Sequence, residues 1–197
     1  MSQEVEIEFK NLLTKEEFNL LYDRFQLTEE MFWEQANIYF DTPDFTLRDA
    51  RCALRIRYKN NQYTLTLKEP HGDDLLETHQ SLSEAEAAHM LEQGGCIPGD
   101  VSSRIEHLGL NPSAISNLGE LRTKRTEIKQ DDATIVFDHS FYLDTEDYEL
   151  EMEVTNRKKG EKQFEELLMQ YKIPKRDTPN KIRRFFSRKR EVGIEKD

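Results

Sequence analysis

The chain has 197 residues, 34% charged and 36% hydrophobic, with a formal net charge of −11. That length supports one good core, so a single domain over residues 1–197 is expected; clear periodicity and 10% aromatic residues exclude disorder, and the acidity argues against general nucleic-acid binding. No apolar run is long enough to cross a membrane, no signal-peptide core follows Met1, and Cys52 and Cys96 form neither a metal pattern nor a disulfide framework, which points to a soluble cytoplasmic protein.

The chain opens with Glu4-Val5-Glu6-Ile7-Glu8-Phe9-Lys10. Successive side chains of a strand point to opposite faces, so Glu4, Glu6, Glu8 and Lys10 share one face and Val5, Ile7 and Phe9 the other. Thr14-Lys15-Glu16-Glu17 has the form of a capping box. Phe18, Leu21, Tyr22 and Phe25 then recur at helical spacing, predicting an amphipathic helix over 15–26. Residues 34–40 read as a strand, broken by turn chemistry at Asp41-Thr42-Pro43-Asp44, with a short connector at 47–51.

Ala53 to Tyr58 is a second charged strand, with Arg55 and Arg57 opposite Leu54, Ile56 and Tyr58. Residues 62–68 set Thr64, Thr66 and Lys68 against Tyr63, Leu65 and Leu67, and the Lys59-Asn60-Asn61 link predicts a hairpin. Leu75 to Ser81 is a weaker strand carrying Glu77 and His79. Ser83-Glu84-Ala85-Glu86 opens a helix to about Gln93, closed by Gly94-Gly95. One or two short helices fall within 101–118, and strands at 120–128, 133–138 and 147–154. In the last of these, Glu149, Glu151 and Glu153 alternate with Tyr148, Leu150, Met152 and Val154. A helix over 160–171 and a basic helix from about Asn180 to Lys189 complete an α+β chain with mostly antiparallel pairing.

The charges are segregated. From Lys172 to Arg190 there are nine basic residues against one acid, whereas five of the eight positions from Glu146 to Glu153 are acidic. Arg55, Arg57 and Lys68 lie on adjacent strands; Glu6, Glu8, Glu151 and Glu153 lie on strands from the two ends of the chain. One arrangement puts every charged face in water over a two-layer core. Solvated surfaces, however, usually intersperse the two signs. The other arrangement is a barrel with a polar interior and helices over its apolar outside. Charges inside such a barrel are costly unless paired or holding ions. A phosphate chain with a divalent cation satisfies both sets: Arg and Lys take phosphate oxygens, and carboxylates take Mg²⁺ or Mn²⁺.

Glu6-Ile7-Glu8-Phe9-Lys10 resembles the ExExK signature of the CYTH superfamily, the triphosphate tunnel metalloenzymes. The resemblance continues through Tyr39-Phe40-Asp41-Thr42, Leu54-Arg55-Ile56-Arg57, Leu67-Lys68, Arg125, Asp138, Leu150-Glu151-Met152-Glu153 and Asn180-Lys181, in the family's order. It is nearest to the small stand-alone CYTH proteins of Firmicute bacteria. The resemblance implies a closed, eight-stranded antiparallel β-barrel, or tunnel, with a charged lumen and helices packed outside. It implies metal-side carboxylates at Glu6, Glu8, Glu151 and Glu153, supported by Asp138 and Glu77. Triphosphate contacts are implied at Lys10, Arg55, Arg57, Lys68, Arg125 and Lys181, with Lys10, Arg57 and Lys68 central to catalysis. Two positions depart from the family's habit: Thr123 stands where many members carry a basic residue, and Asn180 where many carry serine.

The activity so implied is Mg²⁺- or Mn²⁺-dependent hydrolysis of tripolyphosphate, thiamine triphosphate or a nucleoside triphosphate. The expected partner is that small molecule, with no nucleic acid and no membrane, and a monomeric or homodimeric chain. Two other readings stay open: an adenylyl cyclase, in which the ribose 3′-hydroxyl attacks the α-phosphorus, and a non-catalytic polyphosphate- or nucleotide-binding module. If the barrel reading holds, Glu6, Glu8, Arg55, Arg57, Lys68, Glu151 and Glu153 face inward. Val5, Ile7, Leu54, Ile56, Leu150 and Met152 then pack under helices. His79 and His139 stand beside acids but lack paired metal-ligand spacing; Cys52 reads as a small buried residue; Phe32 and Trp33 read as packing. The run from Arg183 to Arg190 reads as a helix closing one tunnel end, with Lys181 inward.

Overall fold

Period-two alternation of charge and hydrocarbon requires one polar and one apolar face per strand, and a closed sheet meets that requirement everywhere. In a computed structural model, which describes residues 2–192, the strands are β1 (Ser2–Leu13), β2 (Trp33–Asp41), β3 (Ala53–Lys59), β4 (Gln62–His71), β5 (Asp74–Leu82), β6 (Ser116–Lys129), β7 (Ala133–Tyr142) and β8 (Thr145–Val154). They close into an antiparallel barrel in the order β1-β5-β4-β3-β2-β6-β7-β8. Six helices occur among the described residues: α1 (Lys15–Arg24), α2 (Thr46–Asp49), α3 (Glu84–Gln93), α4 (Asp100–His107), α5 (Arg157–Gln170) and α6 (Lys181–Glu191).

Two compact units make up the chain, one of Gln35–Leu121 with the N-terminal segment through Glu6, the other of Ile7–Glu34 with the chain from Arg122 onward. Each has its own core. In the first, Phe40, Leu54, Ile56, Leu65 and Leu67 of β2–β4 pack with Met90 of α3 and Val101 and Ile105 of α4. In the second, Ile135, Phe137, Leu150 and Met152 of β7 and β8 pack with Phe18 and Leu21 of α1 and Phe164 and Leu168 of α5. Both capping boxes form: Thr14 and Ser83 accept from the backbone N–H groups of Glu17 and Glu86, whose carboxylates accept in return.

Turn chemistry fixes the registers. Asn60 and Asn61 have φ of 52° and 60°, the left-handed pair that a two-residue hairpin turn requires, and Tyr58 stands opposite Tyr63. Gly94 has φ 73°, and a Cβ there would lie 2.7 Å from the Ile115 carbonyl oxygen, so α3 ends on a glycine for both reasons.

The β4–β5 and β7–β8 hairpins run past the expected strand ends. β4 and β5 pair as far as His71 and Asp74, and β7 and β8 as far as Tyr142 and Thr145, because the ladder extends to tight turns rather than stopping where the alternation weakens. One expectation fails outright. Val5 is 49% exposed and joins neither core, and Ile7 is only half-buried, while Leu54, Ile56, Leu150 and Met152 pack as expected.

Candidate active site

In the first unit the charged rows of β1, β3, β4 and β5 come together by register. Arg55 stands opposite Thr66, Arg57 opposite Thr64, and Lys68 opposite Glu77. The Lys68 ammonium donates to Glu6 Oε2 at 2.5 Å and pairs with Glu77. Burial raises the Glu77 carboxyl, but Lys68 and Arg55 outweigh it and hold the group down at about 2. The Arg57 Nε donates to Asn37 Oδ1 of β2 at 3.0 Å. His79 shares a hydrogen bond with Thr66 Oγ1 at 3.0 Å, and its Nε2 lies 3.1 Å from Glu4 and 3.3 Å from Glu77.

The second unit carries a denser network. Cross-strand register sets Lys10 opposite Glu151 and Glu8 opposite Glu153. It also sets Asp138 opposite Glu149 and Arg125 opposite Asp138. The Arg125 fork donates to both Asp138 oxygens at 2.7 and 2.6 Å and to Glu151 at 2.8 Å. Lys181, at the start of α6, lies 2.8 Å from Asp138 and 2.6 Å from Glu151, and pairs with Glu149. One turn on, Arg184 bonds Glu149 at 2.5 Å and Asp147 at 2.8 Å. Lys10 bonds Glu8 at 2.5 Å.

The titrations divide accordingly. Burial penalises the charged form throughout, yet Lys181 and Arg125 hold Glu151 well below the usual carboxylate range, and Arg125 and Lys181 lower Asp138. Glu149 goes the other way: burial, with Glu151 beside it, pushes the group up to about 7 against the pull of Lys181 and Arg184. Glu153 is also raised, first by burial and then by Glu151, Glu127 and Glu8. Lys10 rises despite burial because Glu8, Glu149 and Glu151 favour its ammonium.

Ligand oxygens of Asp138, Glu149 and Glu151 lie within 4.8 Å of one another, as do ligand atoms of Glu4, Glu77 and His79. The first set is all oxygen and suits a hard cation such as Mg²⁺ or Mn²⁺; the second includes an imidazole nitrogen. Of the expected acids, Glu6 and Glu77 thus meet on Lys68, Asp138 and Glu151 meet on Arg125 and Lys181, and Glu8 and Glu153 face each other across β1 and β8. Sequence reasoning missed Glu149, Asp147 and Arg184. The same-face run Glu149-Leu150-Glu151-Met152-Glu153 contained the signal for Glu149. Nothing local singles out Arg184 among six neighbouring basic residues.

Both departures from the family's habit have physical accounts. Thr123 is fully buried, with its hydroxyl 3.2 Å from that of Ser140. The β6–β7 ladder runs without a bulge from Arg122 to Lys129, so Arg122 and Lys124 stay on the opposite face. Asn180 caps α6 by accepting from the Arg183 N–H at 3.0 Å, work that serine also does. Asp41 accepts from the N–H groups of Thr42, Leu47 and Arg48 at 2.7 to 3.0 Å; it anchors α2. His139 stacks on Tyr148 at 4.3 Å and bonds Glu146. Burial pushes Cys52 up to about 11 and Cys96 up to about 12, so neither is a nucleophile at neutral pH.

A closed barrel whose strands turn paired carboxylates and basic side chains to one face is the architecture of the triphosphate tunnel class. A match to the CYTH domain spans residues 4–186, and the chain belongs to the CYTH family. It is 48% identical over 192 residues to YjbK of Bacillus subtilis, covering 97% of this chain and 99% of that one. A Bacillus halodurans crystal structure described as a "putative adenylate cyclase" superposes with a TM-score of 0.91 at 41% identity, over 94% of this chain and all of that one. The Hippeastrum protein HpAC1 shares the fold at a TM-score of 0.75 and 21% identity, over 93% and 95% of the two chains.

Proposed function

We propose that the chain is a divalent-metal-dependent triphosphatase, a single-domain enzyme that cleaves the terminal phosphoryl group from tripolyphosphate or an organic triphosphate. The observation that carries this reading is the close set of Asp138, Glu149 and Glu151 oxygens, bordered by Arg125 and Lys181. Carboxylate oxygens suited to a hard cation and cationic side chains suited to phosphate occur there side by side. YjbK bears the name "Putative triphosphatase", and HpAC1 is described as a cyclase-named protein with dominant triphosphatase activity; both favour hydrolysis.

Asp138, Glu149 and Glu151 would hold a cation, with Glu8 and Glu153 of the same unit as further carboxylates; in the first unit Glu6 and Glu77 would be the metal-side carboxylates. A bound Mg²⁺ or Mn²⁺ supplies charge neutralisation and polarises the phosphoryl group. Arg55, Arg57, Lys68, Lys10, Arg125 and Lys181 would neutralise phosphate oxygens, the arginines in bidentate fashion. Phosphoryl transfer to water asks mainly for such positioning and charge stabilisation, so no side-chain nucleophile is needed.

Manganese titration of the Glu6→Gln and Glu153→Gln variants tests the metal half. Each removes a negative ligand while preserving shape, so activation should require at least tenfold more Mn²⁺ with folding intact. Parent-like titrations of both would show that neither residue serves the metal.

A further inference from the structure

Ile38 and Phe40 of β2 pack into the core of the first unit, so the opposite row of that strand is Gln35, Asn37 and Tyr39. All three are buried, and the row contains no Asp, Glu, Lys, Arg or His. On β3, Arg57 and Arg55 stand in register with Asn37 and Tyr39. On the far side of β3 the same two arginines stand opposite Thr64 and Thr66. Each arginine therefore has an amide or hydroxyl residue, never a carboxylate, as its register neighbour on both sides.

Lys68 and Arg125 are placed differently. Lys68 stands in register with Glu77 and donates to Glu6. Arg125 stands in register with Asp138, donates to both its oxygens, and donates to Glu151 as well. A carboxylate holds a cation by a charge-assisted hydrogen bond, but its own charge offsets the cation's attraction for an anionic ligand. An amide oxygen holds the same cation by a weaker hydrogen bond and offsets far less.

Asn37 is 1% exposed, and its Oδ1 accepts from Arg57 Nε at 3.0 Å. A guanidinium is planar with its donors fixed in one fork, so a bond at Nε sets the direction in which the whole group points. Aspartate has the same shape and accepts that bond more strongly, yet the neutral acceptor occupies this buried position. We propose that Asn37 is a positioning residue for triphosphate turnover, one that aims the Arg57 guanidinium at a phosphate group without adding a negative charge beside it. The inference rests on the triphosphatase reading, with Arg57 on the phosphate chain.

Asn37→Asp and Asn37→Ala separate this role from a merely structural one. Aspartate keeps the shape and the hydrogen bond, so a structural brace suffers more from alanine, whereas a charge-sparing brace suffers more from aspartate. Steady-state kinetics of the full chain on tripolyphosphate with Mn²⁺, paired with thermal melts, read the order. We expect kcat/KM to fall about tenfold in Asn37→Ala and about a hundredfold or more in Asn37→Asp, with Asn37→Asp melting at or above Asn37→Ala. In the Arg57→Ala background, Asn37→Ala should cost less than about threefold further, because residues that act through one another are not additive. A larger loss in Asn37→Ala than in Asn37→Asp, parent-like turnover in both, or an undiminished Asn37→Ala loss without Arg57 would overturn the inference. Should Asn37→Asp melt lower than Asn37→Ala, the cycle with Arg57→Ala decides alone. A parent inert on tripolyphosphate and on ATP would remove the triphosphatase reading; calorimetric binding of tripolyphosphate with Mn²⁺ by the same variants then decides on Asn37, and no binding by the parent would remove both.

Discussion

In the second unit, Arg125, Lys181 and Arg184 close on Asp138, Glu149 and Glu151, whose side chains are at most 6% exposed. In the first, Lys68 bridges Glu6 and Glu77 with its own side chain 17% exposed, and Arg55 and Arg57 are only partly buried. The same strand alternation therefore yields two electrostatic regimes. Where several cations and anions are buried together, each group is held by more than one partner, and removing one leaves an uncompensated charge in a medium that cannot solvate it. Where cations keep some water, they cost less to hold and are easier to commit to a ligand. The second unit's charges are therefore the more costly to disturb, and the first unit's, which keep some water, the less costly.

The sharpest way to break this contrast is Arg125→Met. It strips the fork from fully buried Asp138 and from Glu151, and stability should fall by roughly 3–5 kcal/mol, read by urea unfolding. A loss below about 1 kcal/mol would show that the buried network is solvated or slack. Arg57→Ala is the opposite experiment in the first unit. Turnover should drop on the order of a hundredfold or more, as for other lost oxyanion donors, while stability changes by less than about 1 kcal/mol.

A smaller effect sharpens the account of the second unit. The stretch leading into α6 is tied to β1 and α1. Asn11 receives the Arg176 N–H at 2.6 Å, Thr178 accepts from Leu12, and the Arg176 fork holds Glu17 at 2.7 and 2.9 Å. The Arg176 hydrogen bond lowers the Glu17 carboxyl against modest burial. A carboxyl depressed in the folded state contributes stability above its unfolded value and loses it as pH falls through its folded one. Glu17→Gln should therefore cost about 1 kcal/mol at pH 7, and the cost should shrink steadily as pH is lowered below the ordinary carboxyl range, in paired thermal melts. The smallest expected effect is at the thiols: iodoacetamide at pH 8 should leave Cys52 and Cys96 unmodified in the folded protein and label both in urea, since burial raises each.

Much of this was legible in the sequence because a strand's period of two is rigid. Once Glu6, Arg57 and Glu151 are assigned to one face, Ile56, Leu150 and Met152 must go to the other, and both cores follow. The capping boxes at Thr14 and Ser83 and the Asn60-Asn61 turn are equally local, and they form where expected. Val5 escaped because alternation assigns a face without saying whether a helix covers that stretch. Arg184 and Asp147 escaped because their partnership joins residues 37 apart in the chain and depends on where α6 docks.

Phosphorus NMR of the purified chain with tripolyphosphate, in Mn²⁺, in Mg²⁺ and in chelator, tests the central claim most directly. Metal-dependent cleavage to equal amounts of orthophosphate and pyrophosphate, with none in chelator, is the predicted result, since tripolyphosphate has no ribose and only water can attack it. Conversion of ATP to cyclic AMP and pyrophosphate, with tripolyphosphate untouched under every metal, would contradict it.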